Sequence, residues 1–154
     1  MTTPRLRLAM AWMLLVGALV GCANRPMPAW NLSAPGWTVN QSPAVWCPHR
    51  GGPELVGELL VAHRTDGSRL VQFSKQGIPM IVARADAEGW EIRSPFDASH
   101  HSARGSPPLR ALWFQIDASP PASMIRPPWS LERRWDGSWI LEDRATGERL
   151  EVVP

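Results

Sequence analysis

Two cysteines and four histidines are the side chains of this sequence best suited to nucleophilic or metal chemistry. Cys47 stands two residues before His49, so a thiol and an imidazole lie close along the chain. A catalytic thiol–imidazole pair is assembled in space, however, and gains nothing from closeness in sequence. The simpler interpretation of Cys47 is a small buried side chain at the end of a strand.

Adjacent histidines at His100 and His101 are the pattern that could suggest a metal site. A tetrahedral site needs further ligands, and neither a second histidine pair nor an acid stands at ligand spacing from these two. The sequence therefore predicts a solvated loop here, with no metal and no cofactor.

Acidic side chains give no indication of catalysis. Those near the C-terminus alternate with apolar residues or lie at turns, as on a solvent-facing surface: Glu132, Glu142, Asp143, Glu148 and Glu151. The sequence contains neither the nucleophile motif G-x-S-x-G, nor a phosphate-binding glycine loop, nor the zinc motif H-E-x-x-H. These observations predict a protein that is not an enzyme.

Cys22 has the most informative surroundings of any residue in the chain. It follows Leu-Val-Gly at 19–21 and closes an apolar run that two arginines precede. The run, residues 8–20, is about thirteen residues long, short of the roughly 20 that a membrane-spanning helix needs. The pattern predicts an export signal. An ordinary secretory signal, cut near Ala29 with Cys22 incidental, is the alternative.

The tetrapeptide 19–22 resembles the lipobox of bacterial lipoproteins, in which a peptidase cuts before a cysteine that already carries diacylglycerol on its thiol. The resemblance implies a signal peptide over residues 1–21 and a mature chain that begins at a lipidated Cys22. Two or three acyl chains anchor a protein stably, whereas one is marginal. Ala23 follows the cysteine in place of Asp, as in lipoproteins sent to the outer membrane. The expected location is the inner leaflet of that membrane, facing the periplasm.

The charge of the mature chain excludes one class of partner. Removal of Arg5 and Arg7 with the signal leaves 14 basic residues against 14 acidic ones. A net charge near zero provides no electrostatic case for a nucleic-acid partner, which would require a basic patch. With Cys22 lipidated, Cys47 also has no second cysteine in the chain, so no structural disulfide within the chain is expected.

Composition divides the mature chain into a tether and one small domain. Prolines, glycine and serines interrupt residues 22–43, which predicts a flexible tether, and residues 44–154 form the domain. Trp30 and Trp37 lie in the tether. They are open to two interpretations: contact with lipid headgroups, or a strand that packs onto the domain.

Apolar residues predict four strands in the first half of the domain: they alternate with polar ones in the first, second and fourth strands and occupy both faces of the third, which is therefore expected to be central. The Asp66-Gly67 pair predicts a tight hairpin between the first two. The predicted strands cover residues 55–63, 69–75, 80–84 and 90–93, and together they make an antiparallel meander. Residues 95–108, with Ser, His, Gly and prolines, are predicted to be a loop.

The second half of the domain predicts one short helix and three more strands. Ser106-Pro107 would start an amphipathic helix with Leu109, Leu112, Trp113 and Ile116 on one side, although a strand over 111–116 competes with it. The strands cover residues 131–135, 138–142 and 149–153, and Trp135, Trp139 and Leu141 would share the inner surface. The fold class is therefore mainly β, an antiparallel half-open barrel of about seven strands.

This order of elements, with the endings Asp-Gly-Ser-Trp at 136–139 and Thr-Gly-Glu-Arg-Leu at 146–150, resembles the LolB and LolA lipoprotein carriers over residues 54–153. The resemblance implies an incomplete β-barrel that holds acyl chains, a periplasmic carrier protein as partner, and a protruding apolar residue that assists membrane insertion, here Ile78. The candidate lining residues are Val71, Phe73, Met80, Val82, Trp90, Ile92 and Trp113. Plain core packing is the alternative for each of them.

After the carrier and the enzyme, a third hypothesis is a structural or assembly lipoprotein that binds a protein partner through an exposed sheet edge. An open apolar cavity would favour the carrier, and a closed, packed core would favour the partner-binding protein.

Overall fold

The computed structural model describes residues 30–96, 98–117 and 127–154. These residues form nine antiparallel strands in one sheet, in the order β6-β5-β4-β3-β2-β1-β9-β8-β7. The strands are β1 (Trp37–Cys47), β2 (Leu55–Arg64), β3 (Arg69–Lys75), β4 (Ile78–Ala85), β5 (Gly89–Ser94), β6 (Ser99–Arg104), β7 (Trp129–Arg133), β8 (Trp139–Asp143) and β9 (Arg149–Val152). The prediction of a mainly β protein is confirmed, with nine strands in place of seven. The predicted signal peptide and Cys22 lie outside the described residues.

β1 joins the two halves of the sheet, because it pairs with β2 on one side and with β9 on the other. β2 to β6 continue from it as a meander, while β9, β8 and β7 complete the opposite side. Since neighbouring strands alternate in direction, all turns lie at two ends. The Trp37 end of the sheet holds the turns after β2, β4 and β7, and the Cys47 end holds those after β1, β3, β5 and β8.

The inner face of the sheet is covered by a segment of the same chain. Side chains of the inner face form one hydrophobic cluster with residues 111–116, which we call the plug. Nine strands at about 4.8 Å spacing would extend over roughly 38 Å if flat, so one short plug contacts both halves only because the sheet curls around it. The buried sheet residues of the cluster include Leu59, Val61, Val71, Phe73, Ile81, Trp129, Trp139, Leu141 and Leu150.

β1 begins inside the segment predicted to be a tether. Residues 37–43 pair with β2, so the flexible segment predicted for 22–43 does not reach its expected end. The rings of Trp30 and Trp37 are tilted against each other with their centroids 5.3 Å apart, and the Arg84 guanidinium of β4 lies 5.9 Å from the Trp30 ring centroid. Of the two interpretations of these tryptophans, packing onto the domain is the observed one.

The segment 95–108 contains β6, which the sequence predicted to be part of a loop. None of the β6 side chains is large and apolar, so hydrophobic alternation could not reveal the strand. Its pairing with β5 places His100 opposite Arg93 and His101 opposite Ile92. Because neighbouring strand residues point to opposite faces, the two histidines lie on different sides of the sheet.

The predicted amphipathic helix is reduced to a single 3-10 turn, Leu112–Phe114. Its N-cap residue, Ala111, makes no side-chain capping hydrogen bond. The turn and Ile116 are buried, whereas Leu109, predicted to share their side of a helix, is largely exposed. Packing against the sheet, and not helical spacing, therefore determines the conformation of this segment. Within the described part of the chain, no helix is long and apolar enough to cross a membrane.

Trp135 does not lie on the inner surface predicted for it. It is 99% exposed, whereas Trp139 is 6% exposed and Leu141 is fully buried. β7 ends two residues earlier than predicted, because the Arg134 amide donates to the Ser138 carbonyl at 2.9 Å and closes a turn around Trp135. The prediction for Trp135 is wrong because the turn takes up a residue that strand alternation had assigned to β7.

Candidate functional site

The seven residues predicted to line an acyl cavity do not all lie on one face of the sheet. Six of them belong to the inner cluster, one within the plug: Val71, Phe73, Met80, Trp90, Ile92 and Trp113. Val82 pairs with Gln72 of β3 and Arg93 of β5, and its side chain is on the outer face with theirs. The structure thus brings six of the seven together.

These residues pack against aromatic rings from β1 and the plug. Phe73 is 0% exposed. Its ring centroid lies 5.7 Å from that of Trp46 and 6.3 Å from that of Trp113, and the two tryptophans are 5.1 Å apart. Trp90 meets Phe114 edge to face at 5.8 Å. The geometry is that of preferred aromatic pairs in a packed core.

Trp46 and Phe114 were missed as members of this cluster. A signal for Phe114 was present, since it directly follows Trp113 in an apolar stretch. Trp46 was hidden because β1 itself was not predicted.

Two side-chain hydrogen bonds hold the chain around the plug. Arg69 Nη1 donates to the Phe114 carbonyl at 2.9 Å, and Trp129 Nε1 donates to the Leu109 carbonyl at 2.8 Å. A cavity of about 400 Å³ adjoins the first of these bonds, and charged or polar groups of Arg69, Asp86 and Gln115 contribute to its wall. The plug is therefore attached to β3, and the chain two residues before it is attached to β7.

A partly buried carboxyl lies at the Cys47 end of the cluster. Trp46 Nε1 donates to Glu148 Oε1 at 3.2 Å. Burial raises the pKa of Glu148 to about 7, the Trp46 bond opposes that rise, and the nearby Asp143 carboxylate adds to it. A carboxyl that titrates near neutrality thus contacts the same tryptophan that packs on the plug.

On the outer face, one carboxylate lies beside two arginines and a histidine. Glu91 is buried and lies 3.1 Å from Arg93, 3.5 Å from Arg84 and 3.6 Å from His100 Nε2. His100 on β6 therefore lies beside an ion-pair cluster formed by β4 and β5. No group of three or more His, Cys, Asp or Glu side chains within the described ranges could hold a metal ion.

Cys47 is the last residue of β1 and is half-buried. Its Sγ donates to the carbonyl of His49 at 3.1 Å and faces the carbonyl of Gly52 at 3.7 Å. The imidazole of His49 faces the Arg50 carbonyl instead, with its Nδ1 at 3.3 Å. The thiol thus contacts backbone oxygens, in keeping with a structural role at a strand end.

Ile78, the predicted membrane-insertion residue, is 63% exposed at the start of β4. The next turn at the same end of the sheet carries Phe96, which is 77% exposed. Since β4 and β5 are neighbours, these two apolar side chains lie at adjacent turns of the Cys47 end. Phe96 was not predicted, because it falls in a segment without alternation.

β6 and β7 are the edges of the sheet that the described residues form. A groove of about 580 Å³ opens at the start of β7, lined by Pro127, Pro128, Trp129, Ser130, Leu131, Arg144 and Ala145. Strand edges present unpaired backbone groups, and adjoining apolar pockets can select the side chains of an added strand. Among the described residues, the start of β7 is therefore an edge strand beside a mostly apolar groove.

The arrangement as a whole is suited to binding: a packed interior, an edge with a groove, and exposed apolar residues at turns. Comparison with protein-family models gave no match, and no curated protein matched the chain.

Proposed function

We propose that this chain is a non-catalytic lipoprotein of the cell envelope, anchored through Cys22, that binds a protein partner along the β7 edge of its sheet. The observation that carries the proposal is the plug. The inner face, where an acyl chain would be held in a LolB-like carrier, is occupied by the protein's own Leu112, Trp113, Phe114 and Ile116.

The β7 edge has both features that recognition by strand addition uses. Backbone groups along an edge strand supply affinity, and pockets beside it supply specificity. The groove formed by residues 127–131 and 144–145 is mostly apolar, with Trp129 and Leu131 in its wall. An extended apolar segment of a partner is the ligand that this geometry fits.

The anchor is supported by the sequence pattern around Cys22 and by the resemblance to the lipobox. In this proposal the mature protein is held at the inner leaflet of the outer membrane and faces the periplasm. Its mature net charge near zero is compatible with a partner recognised through shape and apolar contact.

A carrier of acyl chains is the second candidate. It is favoured by the six predicted lining residues that meet on the inner face, and by Ile78 exposed at a turn. An acyl chain gains about 0.8 kcal/mol per buried CH₂. Burial of each of the four plug side chains contributes about 1.5–3 kcal/mol of free energy. A long acyl chain would gain a similar total and could therefore displace them. A carrier would therefore work by exchanging the plug for its cargo.

Native mass spectrometry with lipid extraction, on the mature chain carrying Cys22→Ser, separates the two functions. The partner-binding proposal expects a clean protein mass that stays clean when fatty acid or phospholipid is added. Co-purifying lipid would overturn it in favour of the carrier. The comparison variant is Ile78→Glu, which changes an exposed turn residue and leaves the core intact.

Photocrosslinking in a bacterial host tests the edge itself. A photoreactive residue replaces Glu132 on β7 or, as the matched control, Glu58 on the interior strand β2; both are exposed glutamates of the outer face. Protein adducts at position 132 and not at 58 are expected. Equal labelling at both positions would contradict strand addition at β7.

A further inference from the structure

Trp135 is 99% exposed, at the tip of the turn between β7 and β8. The turn is closed by hydrogen bonds that do not involve its side chain. The Arg134 amide donates to the Ser138 carbonyl at 2.9 Å, the Gly137 amide to the Arg134 carbonyl at 3.2 Å, and the Ser138 amide to Asp136 Oδ1 at 2.9 Å. The tryptophan is therefore not needed to close the turn.

The turn between β2 and β3 supports this point independently. It has the same sequence pattern, Arg-x-Asp-Gly-Ser, over residues 64–68, with Thr65 at the position of Trp135. Its three corresponding hydrogen bonds are 2.9, 3.0 and 2.9 Å long. Since threonine serves at this position, a large aromatic side chain in solvent points to a role outside the fold.

The position of the β7–β8 turn relative to the start of the described chain indicates which surroundings Trp135 faces. This turn faces the same way as the start of β1, and because β9 pairs only with Ala44–Cys47 of β1 the tip lies level with the middle of that strand. Trp30 is held against Arg84, the second-last residue of β4, which also lies toward the Trp37 end. The described chain ahead of β1 and the Trp135 tip thus lie toward the same end of the sheet.

The length of chain ahead of Trp30 limits how far this end can stand from a membrane. Residues 22–29 can extend over at most about 30 Å, at roughly 3.3–3.6 Å per residue. With Cys22 acylated, the Trp30 contact stays within that distance of the bilayer. An exposed tryptophan near a bilayer prefers the headgroup region, where its apolar ring and polar N–H are both accommodated.

We propose that Trp135 inserts into the headgroup region of the bilayer that anchors the chain, as a second point of contact that orients the domain. The proposal rests on the lipid anchor at Cys22. Charges around the tip are mixed: Asp136 follows it, and Arg134 pairs with Glu151 at 2.6 Å. Zwitterionic lipid is therefore sufficient, and the contact does not depend on an anionic headgroup.

Site-specific crosslinking of the full chain in a bacterial host tests the contact. A photoreactive phenylalanine analogue replaces Trp135 or, as control, the exposed Lys75, which ends β3 at the opposite end of the sheet. Phospholipid adducts at position 135, several-fold above those at position 75, are expected. Adducts with protein alone at position 135, no adducts there, or lipid adducts that favour position 75 would each overturn the proposal.

The acyl state of Cys22, read from the N-terminal peptide of the same samples, separates the two failures. An acylated Cys22 without lipid adducts at position 135 overturns only the second contact. An unmodified Cys22 overturns the anchor and the contact together.

A variant without a crosslinker gives an independent measurement. Trp135→Thr installs the residue of the matching turn, so folding is preserved. On vesicles of phosphatidylcholine with brominated acyl chains, the lipidated wild-type protein should lose more tryptophan fluorescence than this variant. Equal quenching of the two proteins would contradict insertion of Trp135.

Discussion

The β2–β3 and β7–β8 turns are nearly the same structure with different residues at the tip. Both read Arg-x-Asp-Gly-Ser, and both place their glycine at a positive φ, 88° at Gly67 and 87° at Gly137. Hydrogen bonds from the following serine lower the pKa of the exposed Asp66 and Asp136 carboxyls alike. The sequence pattern thus determines the turn, and the tip residue is left free for another purpose.

The β7–β8 hairpin also contains one fully exposed tryptophan, Trp135, and one buried tryptophan, Trp139. Trp139, four residues after the exposed Trp135, is 6% exposed and belongs to the inner cluster. Replacement of Trp139 by alanine should lower the free energy of unfolding by about 3–5 kcal/mol, because it leaves a large cavity. Trp135→Ala should change it by less than about 0.5 kcal/mol. Urea denaturation of both variants makes the comparison, and similar losses would show that the tip is part of the core.

A third turn, between β8 and β9, differs from the first two in the protonation of its carboxyl. The folded-state pKa of Glu148 is about 7, above its ordinary value of 4.5, so the fold favours the protonated form. Stabilisation from this group is complete below about pH 4.5 and is lost as pH rises through 7.

Glu148→Gln should therefore be more stable than wild type at pH 8–9, by roughly 2–3 kcal/mol, and equal to it near pH 4. Thermal or urea unfolding as a function of pH measures the difference. A gap that does not change with pH would contradict the raised pKa. Asp66→Asn is the control, because its pKa is shifted in the opposite direction.

The two turn glycines should differ in their tolerance of a side chain. A left-handed backbone costs an alanine about 1–2 kcal/mol at either position. A Cβ on Gly67 would meet nothing within 4 Å, whereas one on Gly137 would lie 3.3 Å from Pro154 Cγ. Gly137→Ala should thus cost more than Gly67→Ala in urea denaturation. Adding Pro154→Ala should bring the two losses together, and a difference that persists would mean that the turns are not equivalent.

The smallest effect on stability should come from exchanging the tip residues. Thr65→Trp combined with Trp135→Thr should alter the free energy of unfolding by less than about 0.5 kcal/mol, since both tips are solvent-exposed. The exchange should nevertheless reduce quenching by brominated lipid if position 135 is the one that meets the bilayer. Unchanged quenching would show that either tip can make the contact.

Local signals in the sequence were sufficient for most of the hairpins. The Asp-Gly pairs at 66–67 and 136–137 predicted both matched turns, and the pattern of apolar residues predicted β2 to β5 and β7 to β9 to within a few residues. These elements are determined by residues close together in the chain. The pattern around Cys22 is likewise local, and its meaning as an anchor stays a prediction.

Long-range pairing decided what the sequence did not reveal. β1, with Pro43 and Ser42 in its middle, and β6, without a large apolar residue, are strands because neighbouring strands supply hydrogen bonds along their length. The side of the sheet on which Val82 lies follows from the register of β4 with its neighbours, which shifts near Phe73.

The plug shows most clearly which features follow from local sequence and which depend on contacts between distant parts of the chain. Its sequence favours a helix by spacing and a strand by its aromatic residues, yet the chain forms neither over most of its length. Trp46, Phe73 and Trp90 come from three different strands, and their rings determine where Trp113 and Phe114 can pack. The sequence by itself determined strands, turns and which residues are apolar. Only the tertiary structure decided that the inner face is filled by the chain itself, because burial of one short segment depends on a surface that distant strands build together.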